Sequence, residues 1–229
     1  FDPLSDEIEK RSKGAADRRA VIQEVVRETL TRHQRILFSG DNYSREWERE
    51  AAKRGLLNAK NTPDALVLFA TEANQLLFEK YAVLSRRETT ARSNIFFSAY
   101  VHRVAVEALT MVQMASTALI PAGIAYQKVV AESINAARAA VPKAELGEQE
   151  KLLLELSSTI SRLRAALTIL KDVHHQMEDK GEVTAQAVHA RDLILPAMLE
   201  LRGHGDRLEM LVDDALWPLP KYHELLFVH

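Results

Sequence analysis

The chain has 229 residues, 47% of them apolar, and its 30 basic and 32 acidic side chains leave a formal net charge of −2. That balance supplies no long-range field to gather nucleic acid or an anionic membrane, so neither is an expected partner. With no cysteine, the chain has no disulfide, no thiolate zinc site and no cysteine nucleophile, a composition compatible with a reducing, cytoplasmic setting.

The start Ser5-Asp-Glu-Ile-Glu-Lys-Arg11 is too charged for a secretory signal. No apolar run is expected to reach the roughly 20 residues of a membrane-spanning helix. The sequence opens on Phe1-Asp-Pro-Leu4 without an initiator methionine, and the expectation is that a further segment precedes it.

Val21, Ile22, Val25, Val26, Thr29 and Leu30 recur at helical spacing and predict one buried stripe on a helix ending near Leu37. Gly40-Asp41-Asn42 reads as a turn, with Ser44 capping a short second helix on which Trp47 and Ala51 share a face. Gly55 is placed for a left-handed C-cap closed by Leu56. Thr62-Pro63 reads as a cap followed by proline at the first helical position. Ser85 and Glu88 form a capping box, and from it a long helix is predicted with Ile95, Phe96, Ala99, His102, Val106, Leu109, Gln113, Met114, Thr117 and Ile120 on its seam. Pro121 should kink that rod, and Tyr126, Val129, Val130, Ser133 and Ile134 resume the pattern until Val141-Pro142 stops it.

Two further helices carry regular seams: Leu153, Leu156, Ile160, Leu163, Leu167 and Leu170 on one, and Ala187, Ala190, Ile194, Ala197, Leu201, His204, Leu208, Leu211 and Ala215 on the other. Gly181 between them predicts an antiparallel hairpin. The fold class is therefore all-α, with long antiparallel helices in an elongated bundle and a short-helix cap at its start. Residues 1–85 are read as a short-helix segment, 86–216 as the long bundle, and 217–229 as an apolar tail docking on the bundle or a neighbour.

Catalytic patterns are sparse. Asp172, His175 and His189 are the nearest approach to a metal set, but the bundle motif Glu-x-x-His is missing and ordinary surface roles are preferred. No serine sits in a Gly-x-Ser-x-Gly elbow, and Gly203-His-Gly205 lies inside a helical pattern, where it permits close packing or bending. Arg86, Arg87, Arg92 and Arg103 read as a solvated face. No catalytic, cofactor-binding or metal-binding residue is assigned. The candidate interface residues are aromatic and apolar: Tyr43 and Trp47 near the first turn, then Trp217, Tyr222, Leu226 and Phe227 at the end, where Pro218 and Pro220 halt the helix.

Five segments carry a resemblance. Arg35-Ile-Leu-Phe-Ser-Gly-Asp-Asn-Tyr-Ser-Arg-Glu-Trp47, continuing through Glu50-Ala-Ala-Lys-Arg-Gly-Leu-Leu-Asn58 and Thr62-Pro-Asp-Ala-Leu66, resembles the carboxy-terminal part of type III glutamine synthetases. So do Glu79-Lys-Tyr-Ala-Val-Leu-Ser85, Pro121-Ala-Gly-Ile-Ala-Tyr-Gln127, Ala190-Arg-Asp-Leu-Ile-Leu-Pro-Ala-Met198 and Trp217-Pro-Leu-Pro-Lys-Tyr-His-Glu-Leu-Leu-Phe227. The resemblance implies roughly the last third of a longer, oligomeric ligase that makes glutamine from glutamate, ammonia and ATP with Mg²⁺ or Mn²⁺. It places residues 1–85 at the end of the catalytic-domain region and the catalytic residues upstream, and no position here matches them. The expectation is a helical module, inactive alone, serving structure, assembly or regulation beside the upstream catalytic domain. The alternative is a free-standing helical adaptor whose tail binds a partner.

Overall fold

The structure, a computed structural model, describes residues 2–14, 16–220 and 222–226. It is all-α: among the described residues there is no strand. The chain divides into two compact units, Phe1–Lys60 and Asn61–His229.

In the first unit, α1 (Asp2–Ser12) and α2 (Arg18–Arg32) pack together, and Asp17 caps α2 by accepting hydrogen bonds from the amides of Arg19 at 2.8 Å and Ala20 at 3.3 Å. Arg11 ties the pair through Glu7 on its own helix and Glu28 on the other. The predicted single stripe of α2 splits in two. Val25 is buried and Val21 and Thr29 are half-buried, whereas Ile22, Val26 and Leu30 are open. The helix ends at Arg32 and tightens into a 3₁₀ turn, Gln34–Ile36. After the turn, Ser44 accepts from the amide of Trp47 at 3.2 Å and starts α3 (Arg45–Lys53). Gly55, at φ +65°, completes the predicted C-cap, in which the Leu56 amide donates to Ala51 and the Gly55 amide to Ala52.

The second unit begins with α4 (Thr62–Phe69) and α5 (Glu72–Lys80). The cap of α4 is Asn61, one residue earlier than expected, because its Oδ1 accepts from the Asp64 amide at 3.0 Å and Pro63 then occupies the second helical position. Phe69 packs against Phe78 and, edge to face, against Phe96. The Ser85–Glu88 capping box forms as predicted, each residue's side chain satisfying the other's amide, and launches α6 (Arg86–Met114).

A π turn, Ala115–Leu119, joins α6 to α7 (Ile120–Ala140), and the helix continues through Pro121. A second π turn, Ala190–Ile194, joins α9 (Val183–His189) to α10 (Leu195–Glu209), again directly ahead of a proline, Pro196. The cause is common to both. Proline has no amide to donate and its ring crowds the preceding turn, and the wider π turn relieves that crowding without ending the helix.

Between these rods runs α8 (Gly147–Glu178), which packs against α7, α10 and α6. Leu156, Leu163 and Leu170 from α8, Ile194 from the second π turn and Leu208 from α10 are fully buried. The hairpin seams are thus where the spacing placed them, except that Ala215 lies beyond α10 and is exposed.

The face of α6 differs from expectation. Ile95, Ala99, His102, Val106, Leu109 and Gln113 are exposed, and the buried residues are Thr89, Ser93, Phe97, Val101, Val104 and Ala108. A second correction concerns apolar length: no charged residue occurs from Ala108 to Gln127, and the helix Arg86–Ala140 is long and apolar enough by composition to cross a membrane. One side of that stretch, Ala108, Ala115, Ala122, Gly123 and Val130, is buried in the unit's core.

Candidate functional site

Three places gather the side chains of interest, the first in the opening unit. Phe38 and Trp47 stack with ring centroids 4.4 Å apart, and the Arg54 guanidinium lies 5.8 Å from the Trp47 ring. Arg54 also donates to the carbonyls of Leu37 at 2.6 Å and Arg35 at 3.2 Å, and pairs with Glu50 at 2.6 Å. One side chain therefore pins the exit of α2 to α3. Its charge also holds the Glu50 carboxyl below the ordinary glutamate range, chiefly through that hydrogen bond. Gly40 gives the ring its space, since a Cβ there would meet the end of the Phe38 ring at 2.5 Å and the ring would have to shift. Trp47 is half-buried in this cluster, whereas Tyr43 is fully exposed, with only its amide engaged by Asp41 at 2.9 Å. Asp41 thus serves the turn.

The second place lies in the other unit, where the first π turn meets α10. Met111, Met114, Leu119, Leu201, Gly205 and Trp217 surround an apolar cavity of about 230 Å³. Trp217 belongs to the hydrophobic core, only 8% exposed, and its indole Nε1 is buried without a hydrogen-bond partner. Gly205 faces Leu119, whose Cδ1 would stand 3.4 Å from an added Cβ; Gly203 faces open space. The glycine that the packing demands is Gly123, where an added Cβ would meet Leu208 at 3.0 Å and Ile160 at 3.1 Å. Beyond Trp217, residues Tyr222–Leu226 form the short helix α11, with Leu225 and Leu226 exposed. Phe227 lies outside the described residues.

The third place joins α4 to the second π turn. Arg191 reaches Asp64 at 2.5 Å while gripping Asp192 through both carboxylate oxygens, at 2.6 and 2.8 Å. Its hydrogen bonds to Asp192 hold that carboxyl below the ordinary aspartate range. Nearby Tyr100 is pushed above the usual phenol value, first by burial and against the pull of Arg191. Nothing in the local sequence announces this contact, because Asp64 reads as a first-turn acid and Arg191 as an ordinary helix charge.

Two histidines of the candidate metal set have other partners. His189 is buried and its Nε2 bonds the Val173 carbonyl at 2.7 Å, while exposed His175 pairs with Glu178 at 3.2 Å. Asp172 is exposed. Among the described residues, no group of three or more His, Asp or Glu side chains is placed to hold a metal ion. Of the basic set on α6, Arg86 is engaged by Glu79 at 3.1 Å.

Fold and sites together define an all-helical module that carries open apolar faces beside a well-packed hairpin core. Its sequence then places it: residues 21–138 match the model of the glutamine synthetase C-terminal domain, and the chain belongs to that family. It is similar to the type-3 glutamine synthetase of Dictyostelium discoideum, 32% identical over an alignment 229 residues long that covers 98% of this chain and 31% of that protein. The glutamine synthetase of Bacteroides fragilis (strain YCH46) is 25% identical over 96% of this chain and 31% of its own length. That of Butyrivibrio fibrisolvens is 30% identical over 90% of this chain and 29% of its own length. The chain thus spans about a third of the curated relatives it matches.

Proposed function

We propose that this chain is the helical C-terminal module of a type III glutamine synthetase, whose whole polypeptide ligates ammonia to glutamate with ATP and Mg²⁺ or Mn²⁺. The observation that carries this reading is the pair of coverages: 98% of this chain aligns with a type-3 glutamine synthetase, yet fills only 31% of it. In this reading the module stabilises the upstream catalytic domain and takes part in assembly of a cytoplasmic homo-oligomer. Tyr43, Trp47, Tyr222, Leu226 and Phe227 are its proposed outward contacts, and Trp217 is the docking residue that holds the closing segment on its own bundle. Trp217 anchors the closing segment in the module's core, and the exposed Leu225 and Leu226 that follow are left for a neighbouring surface.

The test compares this chain with the whole polypeptide that carries it, each supplied with glutamate, ATP, ammonia and Mg²⁺. Glutamine formation by the whole polypeptide and none by this chain is the expected result. Turnover by the isolated chain would refute an upstream site, and no turnover by a longer natural polypeptide would refute the ligase reading. The free-standing adaptor takes the lead if the natural polypeptide proves no longer than this chain.

A further inference from the structure

We infer that the open face of α2 is a docking face, and that it is covered by the part of the same polypeptide that precedes this chain; the inference rests on the proposed C-terminal placement. Ile22, Val26 and Leu30 follow one another at four-residue spacing, and Leu37 extends the line past the 3₁₀ turn. They are 37%, 45%, 52% and 53% exposed. Together they form an apolar groove of about 430 Å³, whose charged lining residue is Arg27. The opposite side of the same helix is already occupied, because Val25 is buried and α1 packs there. This helix is therefore apolar on two sides and satisfied on one.

The need for a partner follows from how little this unit buries by itself. Among the described residues of Phe1–Lys60, Val25 and Ala51 are the buried ones. A unit of about 60 residues buries only about 60% of its chain surface and is marginal on its own. The ion pairs of Arg11 and Arg54 are partly exposed and contribute little against that deficit. Covering the open stripe would add the apolar burial that this unit has little of.

Three considerations select the occupant. The chain spans 31% of the type-3 relative, and its match to the C-terminal domain begins at residue 21, inside α2, so in the proposed placement most of the relative's length is available ahead of that helix. A tethered partner acts at high effective concentration and loses little translational freedom on docking. A second copy fits less well: the groove is lined by eight residues, whereas a stable interface uses about 20–30 a side.

The experiment uses the full-length natural polypeptide carrying this chain, with a photoreactive amino acid at Val26 and, in a second variant, at Leu30. A probe at exposed Arg19 is the control. After irradiation, denaturing electrophoresis separates links within one polypeptide from links between copies, and mass spectrometry locates the joined peptide. Links from both positions within one polypeptide, to residues ahead of this chain, are expected. Links to residues 61–229, links between copies, or yields no higher than at Arg19 would each overturn the inference. The intact mass of the polypeptide keeps two failures apart. A polypeptide no longer than this chain removes the proposed function itself, and a longer one with misplaced links removes only this docking assignment.

Discussion

Arg191 and Asp64 lie 127 positions apart in the chain, and their side chains meet with Nη1 and Oδ1 2.5 Å apart. The contact fastens short α4 to the second π turn, and Arg191 is oriented for it by its two-point grip on Asp192. We predict that Arg191→Met loosens α4 selectively. Amide exchange should accelerate at residues 64–69 while the amides around Leu163 keep their protection; equal acceleration at both would show a global effect instead. High salt should weaken the same contact in the wild type, since both partners are partly exposed.

The pH dependence of this cluster has a definite sign. The folded Asp192 carboxyl titrates below its ordinary range because Arg191 bonds its ionised form. Its contribution is therefore complete above the unfolded aspartate value, about 3.9, and is lost as pH falls through the lower folded value. Asp192→Asn should flatten that part of the acid-unfolding profile. A profile unchanged by the substitution would show that Asp192 carries none of the acid sensitivity.

Burial on α6 and α8 separates core from outer face. Phe97 is 3% exposed and Leu163 is 0% exposed, whereas Ile95 is 62% exposed. Phe97→Ala should cost about 3–5 kcal/mol and Leu163→Ala about 2–5 kcal/mol in urea unfolding. Ile95→Ala should stay within about 0.5 kcal/mol of the wild type. A large loss at Ile95 would mean that this face is covered in solution.

These residues also mark what the sequence could reveal. The seam of α8 was legible because Leu153, Leu156, Ile160, Leu163, Leu167 and Leu170 alternate steps of three and four without a break, whereas off-seam Leu154 and Ile169 continue no such series. On α6 the exposed set Ile95, Val106 and Leu109 is as apolar as the buried set Phe97, Val101 and Val104, and spacing alone cannot decide which meets the core. The α2 stripe failed similarly, with apolar residues on two sides and α1 able to cover one. Caps were legible where the bonding is local, as at Ser44, Gly55 and the Ser85–Glu88 box. Asn61 displaced Thr62 because either residue type can cap. The family was legible from five dispersed segments, whereas the Arg191–Asp64 contact joins elements that only the folded chain brings together.

Glycine substitutions should go in opposite directions at two helical positions. At Gly205 an added Cβ meets Leu119 at ordinary contact distance, 3.4 Å, beside the cavity. There Gly205→Ala should gain about 1 kcal/mol from helix propensity. At Gly123 the same addition comes within 3.0–3.2 Å of Leu208 and Ile160, both buried. Gly123→Ala should therefore lose stability, by about 1–3 kcal/mol. Parallel urea titrations of the two variants check this, and a gain at Gly123 would show that Leu208 can move aside.

Ala82 offers a stabilising change. It follows α5 at φ +50°, with its amide donating to Glu79 and the Val83 amide to Phe78, the position that glycine fills at Gly55. A Cβ in this region is strained, so Ala82→Gly should gain about 0.5–1 kcal/mol after the greater freedom of unfolded glycine is counted. Gly55→Ala should show the reverse sign in the same thermal or urea assay. Equal signs would mean that the chain relaxes to another turn.

Trp217 tests whether the closing segment is part of the core. Its ring is nearly buried, it borders the cavity of about 230 Å³, and its Nε1 has no acceptor. Trp217→Ala merges the vacated volume with that cavity and should cost about 3–5 kcal/mol. Trp217→Phe loses part of the same packing, but it also removes a buried donor whose lack of a partner costs about 1–3 kcal/mol. The phenylalanine variant should therefore lie between wild type and alanine. Urea unfolding followed by circular dichroism provides both values without relying on the fluorescence of Trp47, the chain's other tryptophan. A loss below about 1 kcal/mol in Trp217→Ala would detach the closing segment from the core and return Trp217 to the exposed surface.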